Sequence, residues 1–133
     1  MTDRAGRTDL HYAALDGDLA RVRELLAGGA DPSAADRQDF TPLHFAAQSY
    51  APAVVDVLLE AGADLEHRNQ FGNTALFVAV MNSQGRGEVI ERLLSAGADP
   101  HAENVAGNSP IKTAREIANY DIEQFFGDVG EHS

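Results

Sequence analysis

The segment TPLHFAAQ (residues 41–48) places a histidine among apolar residues, directly after a Thr-Pro pair. Related segments occur three more times, as TDLH at 8–11, TALF at 74–77 and SPIK at 109–112. The four starts are 33, 33 and 35 residues apart. A period of this length predicts a repeat protein, in which each unit is one supersecondary element that buries its apolar face against its neighbours.

A second motif keeps the same register. It reads GGAD at 28–31 and AGAD at both 61–64 and 96–99. A pair of leucines precedes it in each unit, and Phe125-Phe126 take this place near the end of the chain. Two motifs that stay in register over three periods indicate a structural repeat rather than a chance likeness.

This pattern resembles the ankyrin-repeat family, whose repeat length and T-P-L-H-x-A motif it matches over about residues 3–126. The resemblance implies an all-α solenoid of helix-turn-helix units from which β-hairpin fingers project. We predict one domain, residues 1–126, and a polar tail, residues 127–133. The expected units within the domain are three full repeats and a C-terminal capping unit, namely residues 3–35, 36–68, 69–103 and 104–126.

The local chemistry of each unit agrees with helical hairpins. Threonine is a favourable N-cap, proline suits the first helical position, and glycine adopts the left-handed conformation that ends many helices. His11 and His44 share one repeat position, roughly 10 Å apart, which is too far for them to hold one metal ion. The resemblance implies that both make structural hydrogen bonds. We assign a structural role to Thr8, His11, Thr41, Pro42, His44, Thr74, Gly29, Gly62 and Gly97.

Three departures from the repeat pattern are informative. Asp39 stands where the other fingers have glycine, and we expect the turn to survive because aspartate tolerates left-handed backbone. The extra length of the third repeat falls in NSQGRG (82–87), which predicts a flexible joint that is either a tolerated insertion or a loop contacting a partner. Charged residues replace apolar ones at Arg21, Glu24 and Arg115, which predicts polar end faces and a complete small solenoid.

The composition argues against catalysis and nucleic-acid binding. Cysteine is absent, and no metalloprotease, phosphate-loop or serine-hydrolase motif occurs. A formal charge of −11 repels a phosphate backbone. We therefore expect a protein that is not an enzyme and that has no cofactor, no metal and no nucleic-acid partner. The lack of an apolar leader, of a membrane-spanning run and of cysteine favours a cytoplasmic protein that does not enter membranes.

The resemblance implies that the concave side, formed by the fingers and the exposed edges of the first helices, binds another protein. We expect a non-enzymatic interaction module or scaffold that is a monomer on its own. Whether Phe40 and Phe71 contact a partner or pack against neighbouring fingers is left open. Carried over by repeat register, the predicted partner-binding residues are Arg4, Arg7, Leu15, Asp16, Arg37, Gln38, Phe40, Gln48, Arg68, Gln70, Phe71, Asn73, Met81 and Asn82.

A narrower hypothesis keeps the same fold. The chain could be a dedicated inhibitor or an immunity-type (antitoxin) protein that neutralises one partner, such as a toxin or nuclease. The net charge of −11 would suit a basic partner, whereas the arginines of the concave side would suit an acidic one. The sequence leaves both alternatives open.

Overall fold

The structure, a computed structural model, describes residues 3–117 and 122–127. These residues form seven α-helices and one 3-10 helix and contain no β-strand. In chain order the elements are α1 (Asp9–Asp16), α2 (Leu19–Ala27), α3 (Pro42–Ser49), α4 (Pro52–Glu60), α5 (Ala75–Asn82), α6 (Glu88–Ser95), α7 (Pro110–Glu116) and the 3-10 helix η1 (Glu123–Phe126).

The helices form two stacked layers. The inner helices α1, α3, α5 and α7 contact one another in that order, and the outer elements α2, α4, α6 and η1 do the same. Each inner helix also contacts the outer element that follows it. This arrangement confirms the predicted all-α repeat solenoid. Helices of seven to nine residues are marginal in isolation, so the contacts between repeats supply most of their stability.

Each inner helix begins at a hydroxyl N-cap. The side chains of Thr8, Thr41, Thr74 and Ser109 accept hydrogen bonds from the backbone N–H three residues later. Pro42 follows Thr41 in the first turn of α3, where its missing N–H leaves no bond unmade. These local contacts explain why the repeated Thr/Ser positions mark the helix starts.

The core lies between the two layers. Small buried residues of the inner helices, such as Ala46 and Ala79, let neighbouring repeats approach closely. Larger fully buried residues of the outer helices, such as Val22, Leu58 and Leu93, fill the remaining space. The solenoid therefore has one continuous core that extends from the first repeat to Phe126.

Two non-glycine residues adopt left-handed backbone at repeat positions where glycine occurs elsewhere. Asp39 has φ 63° and keeps the second finger turn, as predicted. Tyr50 has φ 56° and ends α3, where the first repeat uses Gly17 (φ 68°). Gly29, Gly62 and Gly97 are also left-handed, after α2, α4 and α6.

The extra length of the third repeat is partly built into the fold, and the flexibility of the segment 82–87 stays a prediction. Ser83 and Gly87 of the segment 82–87 are buried, while Gln84 and Arg86 are exposed. Ser83 is fully buried, and Arg86 Nε donates to the carbonyl of Ser83 at 2.8 Å. Gly87 is also buried, because the ring of Phe125 covers it. The absence of a side chain on Gly87 permits this contact, because a Cβ atom there would come within 2.4 Å of the Phe125 ring.

The ends of the described stack carry charge, as expected. Arg21 and Glu24 are exposed on α2 and form an ion pair at 2.8 Å, and Arg115 on α7 pairs with Glu123. The capping unit is described as α7 and η1, while residues 118–121 and the predicted tail from residue 128 onward lie outside the described residues. The repeat boundaries remain a prediction.

Candidate protein-binding surface

An Asp or Asn side chain organises each finger. In the second finger, Asp36 Oδ1 accepts from the backbone N–H groups of Gln38 and Phe40, both at 2.9 Å. The backbone N–H of Asp36 also donates to the carbonyl of Phe40, at 2.9 Å. This Asp or Asn recurs once in every unit, at Asp3, Asp36, Asn69 and Asn104, and is a finger signal that the repeat motifs above do not include.

Single backbone hydrogen bonds join each finger to the next. Arg37 N–H donates to Ala5 at 2.8 Å, and Gln70 N–H donates to Gln38 at 2.9 Å. The third bond, from Val105 to Phe71, measures 3.0 Å. In the described residues the fingers are thus tight turns in a hydrogen-bonded row, and the β-hairpins that the resemblance implies are not resolved in them.

The two inner-helix histidines tie each repeat to the finger of the next. His44 Nδ1 accepts from the Thr41 backbone N–H at 3.1 Å, so the ring proton lies on Nε2, which donates to the Asn73 carbonyl at 2.8 Å. His11 makes the same pair of bonds, to Thr8 at 3.0 Å and to the Phe40 carbonyl at 2.9 Å. Both nitrogens of each ring are therefore occupied by backbone groups.

Burial keeps these rings neutral. His44 is 1% exposed, and removal from water lowers its pKa to about 4. Burial also lowers the pKa of His11. No group of three or more metal-ligating side chains occurs in residues 3–117 and 122–127. The hydrogen bonds of His11 and His44 to the Phe40 and Asn73 carbonyls join neighbouring repeats.

Aromatic rings line the space between the fingers and the inner helices. Phe40 stacks on Phe45 with ring centroids 5.6 Å apart, and it meets Phe71 of the next finger edge-on at 6.4 Å. The Arg7 guanidinium lies over Phe45 at 4.9 Å and over Tyr12 at 5.8 Å. A row of rings thus crosses the first three repeats, with Phe40 half-buried inside it and Phe71 exposed.

The exposed large apolar side chains of the described residues share this side of the molecule. Tyr12 (39% exposed) and Met81 (59%) lie on inner helices, and Phe71 (49%) and Val105 (77%) lie on fingers. No outer helix carries such a residue. We call the exposed parts of the fingers and of α1, α3 and α5 the finger–helix surface.

A family model of ankyrin repeats in three copies matches residues 10–104, which is most of the chain. The chain belongs to the ankyrin-repeat family. Ankyrin repeats are generally protein–protein interaction modules and are typically not enzymes. A comparison with curated proteins finds no match. No helix in the described part of the chain is long and apolar enough to cross a membrane.

The arginines of the ankyrin fingers differ in their surroundings. Arg7 Nε lies 3.3 Å from Asp36 Oδ2, and the Asp36 side chain is only 1% exposed, so this pair is part of the fold. Arg68 donates through Nη1 to the Glu103 carbonyl and thereby bridges two repeats. Arg4 and Arg37 are exposed and form no ion pair with a described residue.

The remaining predicted residues divide in the same way. Three turn inward within the ankyrin repeats: Leu15 packs against the core, Asn73 Oδ1 accepts from Asn104 at 2.9 Å, and Asn82 donates to the Val78 carbonyl at 2.9 Å. The exposed members are Arg4, Asp16, Arg37, Gln38, Gln48, Arg68, Gln70, Phe71 and Met81. Sequence register alone did not predict Tyr12 as an exposed surface residue. It occupies the repeat position of buried Phe45, but it lies at the end of the row of rings and stays exposed.

Proposed function

We propose that this chain binds a partner protein through the finger–helix surface and performs no catalysis. The observation that carries the proposal is the distribution of exposed apolar side chains: Tyr12, Phe71, Met81 and Val105 all lie on this surface. Single exposed apolar residues are ordinary in soluble proteins, whereas neighbouring ones, such as Phe71 and Val105 on joined fingers, favour an interaction surface. Aromatic and arginine residues are also enriched among the residues that dominate binding energy.

The rigidity of the surface supports the same proposal. The fingers are fixed by Asp and Asn side chains and by the bonds between neighbouring fingers, and His11 and His44 anchor them to the inner helices. A partner therefore meets side chains held on an ordered frame. Preorganisation of this kind lowers the entropic cost of association.

The outer helices offer a different surface. Arg92 on α6 pairs with Asp56 on α4 at 2.9 Å, and Glu88 and Glu91 are exposed beside it. A charge reversal at Arg92 would break this ion pair, so Arg92 is not a suitable control position for a binding experiment. Arg23 on α2 is exposed and forms no ion pair with a described residue, so it provides a matched control.

Affinity capture with matched variants tests the proposal. Wild type, Phe71→Ala/Met81→Ala, Arg4→Glu/Arg37→Glu and the control Arg23→Glu are immobilised and compared by quantitative mass spectrometry of the captured proteins. We expect the finger–helix variants to lose a partner that Arg23→Glu retains, because truncating a side chain that dominates an interface costs at least about 2 kcal/mol of binding free energy. Loss in the control together with retention in both other variants would place the interface on the outer helices.

The same experiment separates a general adaptor from a dedicated inhibitor. We propose the inhibitor as the alternative, because the net charge of −11 would suit a basic toxin or nuclease. One stoichiometric captured partner favours the inhibitor, and several weak partners favour the adaptor. We further propose that the chain is a monomer that acts in the cytoplasm. It uses no cofactor and binds no nucleic acid. Sedimentation of the purified chain tests the monomeric state.

A further inference from the structure

We propose that the finger–helix surface binds an extended protein segment that is acidic at one end and apolar at the other. The acidic end meets the first two fingers, and the apolar end meets the last two. This inference rests on the proposed function, because it uses the same surface and adds the chemistry and direction of the partner.

The polarity of the finger row changes along the solenoid. One repeat position is occupied in turn by Arg4, Arg37, Gln70 and Val105. The bonds between neighbouring fingers keep these positions adjacent from one repeat to the next. The row therefore begins with two cations, passes through a neutral amide and ends with an aliphatic side chain.

The two cations are available to a ligand. Arg4 and Arg37 are exposed and unpaired among the described residues. A Cβ atom on Gly6 would come within 3.1 Å of Arg37 Cγ, so the stem of Arg37 lies against the first finger, which also carries Arg4. Both guanidinium groups thus belong to the same end of the row.

The nearby carboxylates equal the arginines in number but form no ion pair with Arg4 or Arg37. Asp3 accepts from two backbone N–H groups of its own finger and from the Tyr12 hydroxyl. Asp36 is buried against Arg7. Asp39 is exposed in the second turn, so the first two fingers carry three arginines and three carboxylates in total. The exposed guanidinium groups of Arg4 and Arg37 form no ion pair with a described residue, so each can pair with a carboxylate of an acidic ligand.

The other end of the row is apolar. Phe71 is 49% exposed and Val105 77% exposed, and the Val105 N–H to Phe71 carbonyl bond of 3.0 Å holds their fingers together. A Cβ atom on Gly72 would come within 2.9 Å of Val105 N, so the third and fourth fingers approach at this glycine. Both side chains gain free energy when a partner covers them.

The repeat spacing sets the pattern of the ligand. Neighbouring helices lie about 10 Å apart, and an extended chain advances about 3.3 Å per residue. One repeat thus corresponds to about three ligand residues. The expected segment has two Asp or Glu residues about three positions apart, and an apolar or aromatic residue about three to six positions beyond them on one side.

Selection of random peptides of about 12 residues, long enough to cross the row of fingers, tests this pattern on the immobilised full chain. We expect the enriched peptides to carry the acidic pair and the apolar residue with one consistent polarity. The best peptide, synthesised with a fluorophore, should lose at least about tenfold in affinity towards Arg4→Glu/Arg37→Glu, and its binding should weaken with salt. Phe71→Ala should weaken it as well, while Arg23→Glu should leave it unchanged. Circular dichroism verifies that each variant is folded.

Other outcomes overturn the inference in distinguishable ways. If no peptide is enriched, or if the enriched peptides lack acidic residues, the assigned chemistry is wrong. Peptides sensitive to Phe71→Ala but not to Arg4→Glu/Arg37→Glu would preserve the surface and refute its acidic specificity. Loss of binding only in Arg23→Glu would refute the proposed surface itself. Displacement of the peptide by a single-stranded oligonucleotide of equal charge at lower concentration would show that the arginines bind phosphate instead.

Discussion

The guanidinium of Arg86 lies over the ring of Tyr50, 4.3 Å from its centroid, and the Tyr50 hydroxyl donates to the backbone carbonyl of Arg86. These residues are 36 positions apart and join the end of α3 to the segment before α6. Tyr50 stands where the first repeat has Gly17 at the end of its inner helix. Tyr50, which replaces the glycine of the first repeat, therefore contacts Arg86 in the segment that lengthens the third repeat.

Shortening the third repeat should therefore destabilise the protein. Gln84 and Gly85 form its left-handed turn (φ 52° and 84°), and deleting both displaces the carbonyl that Tyr50 uses. We expect a loss of about 2 kcal/mol in the free energy of unfolding, more than the few tenths that loop length alone would change. Tyr50→Phe should lose about 1 kcal/mol, because it removes only the hydrogen bond. Urea unfolding measures both. If the deletion is neutral, the segment is a passive insertion.

Gly87→Ala should be destabilising through a side-chain contact alone. Gly87 has φ −107°, which alanine adopts readily, but the new Cβ would come within 2.4 Å of the Phe125 ring. We expect a loss of about 1–3 kcal/mol, the usual cost of overpacking. Gly28→Ala is the matched control, because its φ is −83° and its closest contact would be an ordinary 3.4 Å. Thermal melts compare the two. In the Phe125→Ala background, Gly87→Ala should cost little further stability, because the ring that its Cβ would meet is gone. If the two losses in stability simply add, the predicted contact between Gly87 and Phe125 is wrong.

Arg7 should affect stability, in contrast to its neighbour Arg4. Arg7→Gln leaves the buried carboxylate of Asp36 without its cation, and we expect a loss of about 2 kcal/mol. Arg4→Gln, an exposed change on the same finger, should stay within about 0.5 kcal/mol. Asp36→Asn should cost less than Asp36→Ala, because Asn69 and Asn104 hold the equivalent turns with an amide oxygen. Equal losses for Arg7→Gln and Arg4→Gln in urea unfolding would show that the Arg7–Asp36 pair contributes nothing.

Stability should fall in mild acid because of His44. The ordinary pKa of 6.5 applies to the unfolded chain, and burial lowers the folded value to about 4. Above pH 6.5 both states are neutral at this ring and the full stability is present. As the pH falls from 6.5 towards 4, only the unfolded state gains the proton, so the free energy of unfolding decreases by about 3 kcal/mol over this window.

Unfolding of wild type and His44→Gln at several pH values measures this contribution. His11, whose pKa burial also lowers, adds a loss of the same sign in both proteins. We expect His44→Gln to be less stable than wild type near pH 7, because the Asn73 carbonyl loses its donor in the original geometry, and to show a shallower decline in acid. An unchanged pH slope in the variant would refute the assignment to His44.

The sequence by itself determined the family, the helix pairs and the starts of the inner helices. These features depend on interactions within one unit: the hydroxyl of Thr41 caps the N–H of His44 three residues away, and the same residues recur in each repeat. Local hydrogen bonding and apolar periodicity can be predicted directly from the order of residues. Register also placed Asp39 in its turn, because left-handed backbone is a local preference.

Only the tertiary structure decided which surface residues are free. Arg7 and Arg37 look alike in sequence, yet Arg7 is held by Asp36, 29 residues away, while Arg37 is exposed. Phe40 is half-buried in the row of rings, and Phe71, one finger later, is exposed. Such differences depend on contacts between neighbouring repeats, about one period apart along the chain. A repeat motif specifies what each unit contains, but the side chains packed against it from the next unit decide whether a residue stabilises the fold or stays available to a partner.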